Sequence, residues 1–227
     1  MNGDASGARY ADREDAGRRL AGLLLRYRAE EPIVLGMARG GVPVAAEVAE
    51  QLGAPLDVLV VRKVGAPEHP EFAIGALSAE ILRIDEPTVR RLGVPGPAIQ
   101  RIVDAERVEL ARRERLYRKG RSAVAIRGRT VLVIDDGLAT GLSARVAVES
   151  VRMRGPQQVI FAAPVCAPGG PERLGMSPEH VICALVPPDF YAVGSYYEDF
   201  RPTGDDEVIA KLEAADARIR PKRAHRI

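Results

Sequence analysis

Residues Val131 to Ser143 read V-L-V-I-D-D-G-L-A-T-G-L-S. Val131 to Ile134 are four consecutive apolar residues, the run expected of a parallel strand covered on both faces. Asp135 and Asp136 end it. Open α/β sheets bind ligands at the carboxyl ends of such strands, and paired carboxylates there accept hydrogen bonds from hydroxyl groups and suit a sugar diol. Gly137, Leu138, Ala139, Thr140 and Gly141 then make a short turn, and Leu142 to Met153 reads as a helix with apolar Leu142, Val146, Val148 and Val151. Turn N–H groups, the Thr140 and Ser143 hydroxyls and the positive end of the helix dipole predict an anion site across Gly137 to Ser143. A diol site beside an anion site describes a phosphorylated pentose held at both ends. The G-x-G-x-x-G spacing of dinucleotide sites and the G-x-x-x-x-G-K-[ST] of P-loops are both missing.

Around this motif apolar strands alternate with helical patterns, as a parallel sheet with crossover helices requires. The spacing predicts a helix at Asp15 to Arg28, a strand at Ile33 to Met37, a turn at Ala38 to Gly41, a helix at Val42 to Leu52 and a strand at Leu56 to Val61. Arg62 to about Gly96 reads as an irregular excursion with short β pieces at Phe72 to Ser78 and Glu80 to Ile84. A charged helix follows at Pro97 to Lys119. Beyond the motif come a strand at Val159 to Ala163, a loop at Pro164 to Gly175, a strand at His180 to Leu185 and a tail whose final PKRAHRI reads as frayed. The chain has 227 residues, 46% of them hydrophobic, which fits one main domain with a small appendage. No apolar run approaches the roughly 18 residues of a membrane helix, and the N-terminus shows no secretory apolar region. Cys166 and Cys183 read as two reduced thiols of a cytoplasmic protein. A net charge of +2 argues against wholesale nucleic-acid binding and leaves a local basic patch open.

A second glycine turn, A-R-G-G-V-P at Ala38 to Pro43, follows the first strand. Gly40 and Gly41 let the backbone approach a ligand closely, and Arg39 brings a fixed cation. Arg62 and Lys63 place a basic pair just past the second strand. An ordinary βα turn and a solvated pair are the alternatives.

The thirteen residues resemble the signature of type I phosphoribosyltransferases. The resemblance implies that Asp135 and Asp136 grip the ribose 2- and 3-hydroxyls of phosphoribosyl pyrophosphate (PRPP), while Gly137 to Ser143 hold its 5-phosphate. It implies a pyrophosphate site at Ala38, Arg39, Gly40, Arg62, Lys63 and Arg201, with a cis peptide between Ala38 and Arg39. It further implies Mg²⁺ on Asp135, Asp136 and Glu198, a homodimer, and a mobile catalytic loop at Gly65 to Ser78. That loop carries Glu68, His69 and Glu71; Glu71 or His69 could take a proton from the acceptor, and Glu71 joins Asp135, Asp136 and Arg39 as the expected catalytic set. Ala139 stands where enzymes for 6-oxopurines have an aspartate, so that L-A-T-G resembles adenine-type enzymes. No lysine occurs in Phe161 to Gly170, where a 6-oxo group would be read.

Pro187 to Phe200 holds five of the ten aromatic residues. Rings at a pocket edge stack on planar bases, and the spacing of Tyr191, Gly194, Glu198 and Arg201 is similar to the base-stacking tail of hypoxanthine-type enzymes. Phe190, Tyr191 and Val165 are therefore the expected base pocket, with core packing of the rings as the alternative. Arg112, Arg113, Arg115, Arg118, Lys119, Arg121, Arg127 and Arg129 form a basic cluster read as facing only Glu114. The expected fold is α/β, a single parallel-sheet type I phosphoribosyltransferase (Rossmann-like) domain. Its core spans about 15–185, an inserted loop and helix about 64–121, and a hood about 186–205. The expected activity is transfer of ribose 5-phosphate from PRPP to a small planar acceptor such as a nucleobase, with release of pyrophosphate. The alternative is a PRPP- or nucleotide-sensing regulator on the same fold, binding RNA or DNA through the 112–129 cluster. The strings ARGGVPVAAEVA, RRERLYR and FYAVG are similar to a group of bacterial predicted phosphoribosyltransferases whose acceptor is not evident. A hydrolase finds no support, since no G-x-S-x-G elbow occurs and His69, His180 and His225 fall in no catalytic spacing.

Overall fold

The computed structural model describes residues 9–224, the side chains of residues 71 and 220–224 excepted. In chain order the elements are α1 (Arg13–Leu24), β1 (Ile33–Met37), α2 (Gly41–Leu52), β2 (Leu56–Leu59), β3 (Arg62–Ala66), β4 (His69–Leu77), β5 (Leu82–Ile84), α3 (Glu86–Leu92), α4 (Gly96–Arg118), β6 (Thr130–Ile134), α5 (Leu142–Met153), β7 (Gln158–Val165), α6 (Gly170–Leu174), β8 (Val181–Leu185) and α7 (Asp205–Ala224). Side-chain alternation in β6 decides how the main sheet is covered. Val131 and Val133 pack with Val146 and Val151 of α5. Leu132 and Ile134 pack on the other face with Leu20 and Leu24 of α1 and Val44 and Val48 of α2.

The five main strands are parallel in the order β2-β1-β6-β7-β8. From β1 the chain crosses outward to β2 and later returns to β6 on the other side of β1. A crevice therefore opens at the carboxyl ends of β1 and β6, where the strand order reverses. Because Gly36 stands opposite Ile134, the Ala38–Gly41 turn and Asp135–Asp136 emerge side by side.

The excursion is more regular than expected. Gly65 to Ser78 is no free loop: β3 and β4 form an antiparallel hairpin, extended by β5. Ile74 and Leu77 are buried in a third core with Val103, Leu110 and Tyr117, and that burial orders the segment. The tail is likewise helical through Ala224. Val208, Ile209, Leu212 and Ala215 recur at helical spacing and are buried, so α7 docks on the same core. Residues 225–227 of the expected frayed end lie outside the described residues.

Two further expectations are corrected. Cys166 and Cys183 form a disulfide, because β7 and β8 pair with Ala163 opposite Cys183 and bring the two Cα atoms to 6.0 Å. Cysteine usage thus no longer argues for a cytoplasmic setting. The basic cluster faces far more than Glu114. Arg112 pairs with Glu109 and Asp205, Arg113 with Glu109, Arg118 with Asp57 and Glu114, Lys119 with Glu213, and Arg121 with Asp216. Folding brings carboxylates from β2 and α7 onto the end of α4 and the residues after it, so five of the eight cations are paired. No described helix is long and apolar enough to cross a membrane.

Leu212→Ala is expected to lower unfolding free energy by about 2–4 kcal/mol, the range for truncating a buried leucine. Urea denaturation measures it. An unchanged midpoint would contradict the docking of α7 on this core.

Candidate functional site

Asp135 and Asp136 leave the end of β6, as their position after a buried apolar run requires. The Asp136 N–H donates to Asp135 Oδ1 at 2.9 Å. Burial pushes the Asp135 carboxyl well above the usual carboxylate range, the Asp136 charge adds to the shift, and Lys63 and Arg13 oppose it. Burial also raises Asp136, against opposition chiefly from Arg13. Arg13 Nε donates to Asp136 Oδ2 at 2.9 Å, and Tyr197 donates its hydroxyl to the Asp136 carbonyl at 2.6 Å.

The turn that follows is pinned to the sheet at one residue. Leu138 is buried; its N–H donates to the Val165 carbonyl, and its carbonyl accepts from Ala167. That N–H is therefore engaged within the fold. Ala139 and Thr140 are exposed, and Gly141 caps α5 with φ of 86°. Arg145 makes the first bond back along the helix, to Gly141, so the N–H groups of Leu142 and Ser143 lie ahead of any intrahelical partner.

The glycines of the first turn answer to the carboxylates. A Cβ on Gly40 would stand 2.0 Å from Asp136 Oδ2, and one on Gly41 would stand 2.6 Å from the Ile134 carbonyl oxygen. Only a bare backbone fits between β1 and the end of β6. The peptide between Ala38 and Arg39 is cis. Arg39 Nη1 lies 3.8 Å from Asp205 Oδ1, at the start of α7.

A cleft of about 530 Å³ joins Ala38, Arg62, Lys63, Asp135 and Ser143, and its far wall is Pro67 and Pro70 of the hairpin with Ile102 and Glu106 of α4. Arg62 Nε donates to Glu106 Oε2 at 2.7 Å. Other expected site residues sit apart. Arg201 is 87% exposed, pairs with Asp199 and lines a second cleft of about 430 Å³ with Arg13. Glu198 has an exposed side chain and donates its N–H to the Tyr10 carbonyl. Among the described residues no group of three or more His, Cys, Asp or Glu side chains is placed to hold a metal ion, so Glu198 does not join the two aspartates. Phe190 stacks on Tyr196, Tyr191 is 89% exposed, and Val165 is buried beside Tyr10 and Tyr197. His69 opens β4 and Glu71 lies within it, the side chain of the latter lying outside the described set.

Arg13, Tyr197 and Glu106 were missed. One signal existed for Arg13: a cation in the first turn of a helix opposes the dipole there and needs a compensating partner.

A family model for the phosphoribosyl transferase domain matches residues 8–200. A predicted phosphoribosyl transferase of Mycobacterium tuberculosis is 41% identical over 207 residues, 91% of this chain and 47% of that protein. The chain thus spans about half the length of that relative. The solved structure of the protein TT1426 from Thermus thermophilus is 43% identical, with a TM-score of 0.73, covering 90% of this chain and 97% of the other. A Neisseria gonorrhoeae protein solved with bound ppGpp, 14% identical with a TM-score of 0.50, covers 91% of this chain and 94% of its own and shares the fold.

Asp135→Asn is expected to raise the thermal unfolding midpoint at about pH 7.5. A carboxyl raised in the folded state weakens folding once ionised, so the gain should shrink as pH falls from the raised value toward the ordinary value of about 4 and be absent below it. A midpoint lowered by the substitution at neutral pH would contradict this. Gly40→Ala should leave the circular dichroism spectrum intact while displacing Asp136, which a crystal structure of the variant would report.

Proposed function

The chain belongs to the phosphoribosyl transferase domain family, and we propose that it transfers ribose 5-phosphate from PRPP to a nitrogenous acceptor with release of pyrophosphate. One observation carries the reading: a diol-type carboxylate, an anion-type helix start and a lysine line a single cleft at the point where the strand order reverses.

Asp135 and Asp136 accept the ribose hydroxyls, and the turn from Ala139 to Ser143 holds the 5-phosphate. The acceptor nitrogen forms a bond to the anomeric carbon as the carbon–oxygen bond to pyrophosphate breaks. The electron pair leaves with pyrophosphate, and the acceptor sheds a proton. Glu71 on β4 is the proposed recipient of that proton. Lys63 and Ala38 border the leaving group in the cleft; Arg62 joins them through the wall formed with Glu106, and Arg39 approaches from the α7 side. Positioning and fixed charge thereby lower the barrier.

Two adjacent carboxylates, of which Asp135 makes no salt bridge among the described residues, fit Mg²⁺, which takes one or two protein carboxylates and fills its shell from substrate and water. Bound there, it would supply positive charge to pyrophosphate and ribose oxygens. A planar acceptor and a homodimer complete the proposal. The regulator reading shares the ligand, but its nucleic-acid arm loses support because carboxylates pair Arg112, Arg113, Arg118, Lys119 and Arg121.

Calorimetric titration with PRPP and Mg²⁺ tests the proposal, followed by a pyrophosphate-release screen over nucleobases. Wild type should bind, and Asp135→Asn/Asp136→Asn should lose affinity by roughly 100-fold or more, the weight of two charge-assisted hydrogen bonds. No binding by wild type would overturn the reading. Binding without release for any base would favour the regulator.

A further inference from the structure

Arg13 lies 123 residues from Asp136 in sequence, yet its Nε donates to Asp136 Oδ2 at 2.9 Å. Both side chains are largely buried, at 12% and 17% exposed. The same guanidinium donates through Nη1 to the Arg201 carbonyl at 2.8 Å and lies 4.0 Å from the centre of the Phe200 ring. Only a planar, forked cation serves an acid, a carbonyl and a ring face together; a lysine ammonium is a single point charge. The space for this contact comes from Gly40, whose missing Cβ would otherwise stand 3.1 Å from Arg13 Nε. Tyr197 holds the backbone of the same aspartate. Asp136 is therefore clasped at both ends by segments that do not line the main cleft.

Without the clasp, Asp136 would stand beside Asp135 with Lys63 as the remaining cation acting on both. Adjacent like charges repel and turn apart, and the diol site would lose its second acceptor. Resting on the assignment of Asp135 and Asp136 to the ribose diol, we propose that Arg13 is a positioning residue for ribose binding: it fixes Asp136 and couples the tail at Phe200 and Arg201 to PRPP affinity.

The test compares calorimetric affinities of wild type, Arg13→Gln, Arg13→Lys, Asp136→Asn and the Arg13→Gln/Asp136→Asn double variant. The probes are PRPP, ribose 5-phosphate and pyrophosphate, each with Mg²⁺. Arg13→Gln should weaken PRPP and ribose 5-phosphate by roughly 10- to 100-fold, the range of one charge-assisted hydrogen bond, and leave pyrophosphate affinity unchanged. Arg13→Lys, keeping the charge without the fork, should recover part of the loss, and carries the comparison if Arg13→Gln melts below the assay temperature. The double variant should bind no more weakly than Asp136→Asn alone, because the arginine acts through that aspartate. The proposal is overturned by an Arg13→Gln affinity within about threefold of wild type, by an equal loss for pyrophosphate, or by losses that add in full. Failure of wild type to bind PRPP would instead defeat the assignment beneath it.

Discussion

The site depends on how closely the turn after β1 approaches the end of β6. Parallel pairing sets Gly36 opposite Ile134, and the next residues of both strands must share one narrow space. Two glycines on one side make room for two carboxylates on the other: any side chain at 40 or 41 would collide with Asp136 or with the strand backbone. The glycine turn, expected from sequence to approach a ligand, first serves the acidic pair. Once β1 and β6 are fixed, Asp135, Ala38 and Ser143 come to one cleft without further adjustment.

Around that contact the chain builds two supports of different chemistry. On one side the β3–β4 hairpin and α4 form a wall with an Arg62–Glu106 pair, held by the core that also receives α7. On the other, the N-terminal segment and the tail meet through Tyr10, Tyr197 and Phe200, and Arg13 carries that meeting to Asp136. The aromatic segment expected to cover a base is mostly occupied in this second support. Five aromatic residues in fourteen signal a packing knot as readily as a stacking surface, and composition does not separate the two.

What was legible in the sequence was local. Apolar runs located the parallel strands, and the acidic pair with its glycine turn located the crevice, because both depend on neighbours within a few residues. What was missed depends on distant partners. The stripe of Val208, Ile209, Leu212 and Ala215 is interleaved with charge, and it becomes a buried face only against α2, α4 and β2. The two cysteines lie 17 residues apart and meet only because β7 and β8 are adjacent. The 112–121 cations read as facing only Glu114 because Asp57, Asp205, Glu213 and Asp216 are remote in sequence, while Glu109, a local partner of Arg112 and Arg113, was missed. The family resemblance implies a loop where the hairpin stands, and the hairpin's ordering partners lie in α4.

In the proposed function the end of β6 and the start of α5 hold the two ends of one phosphorylated pentose. A crystal structure of the protein with ribose 5-phosphate tests it most directly. The account predicts the phosphate against the N–H groups of residues 139–143, with the 2- and 3-hydroxyls within hydrogen-bond distance, about 2.5–3.0 Å, of Asp135 and Asp136. A phosphate bound elsewhere, or a diol turned away from both carboxylates, would contradict it.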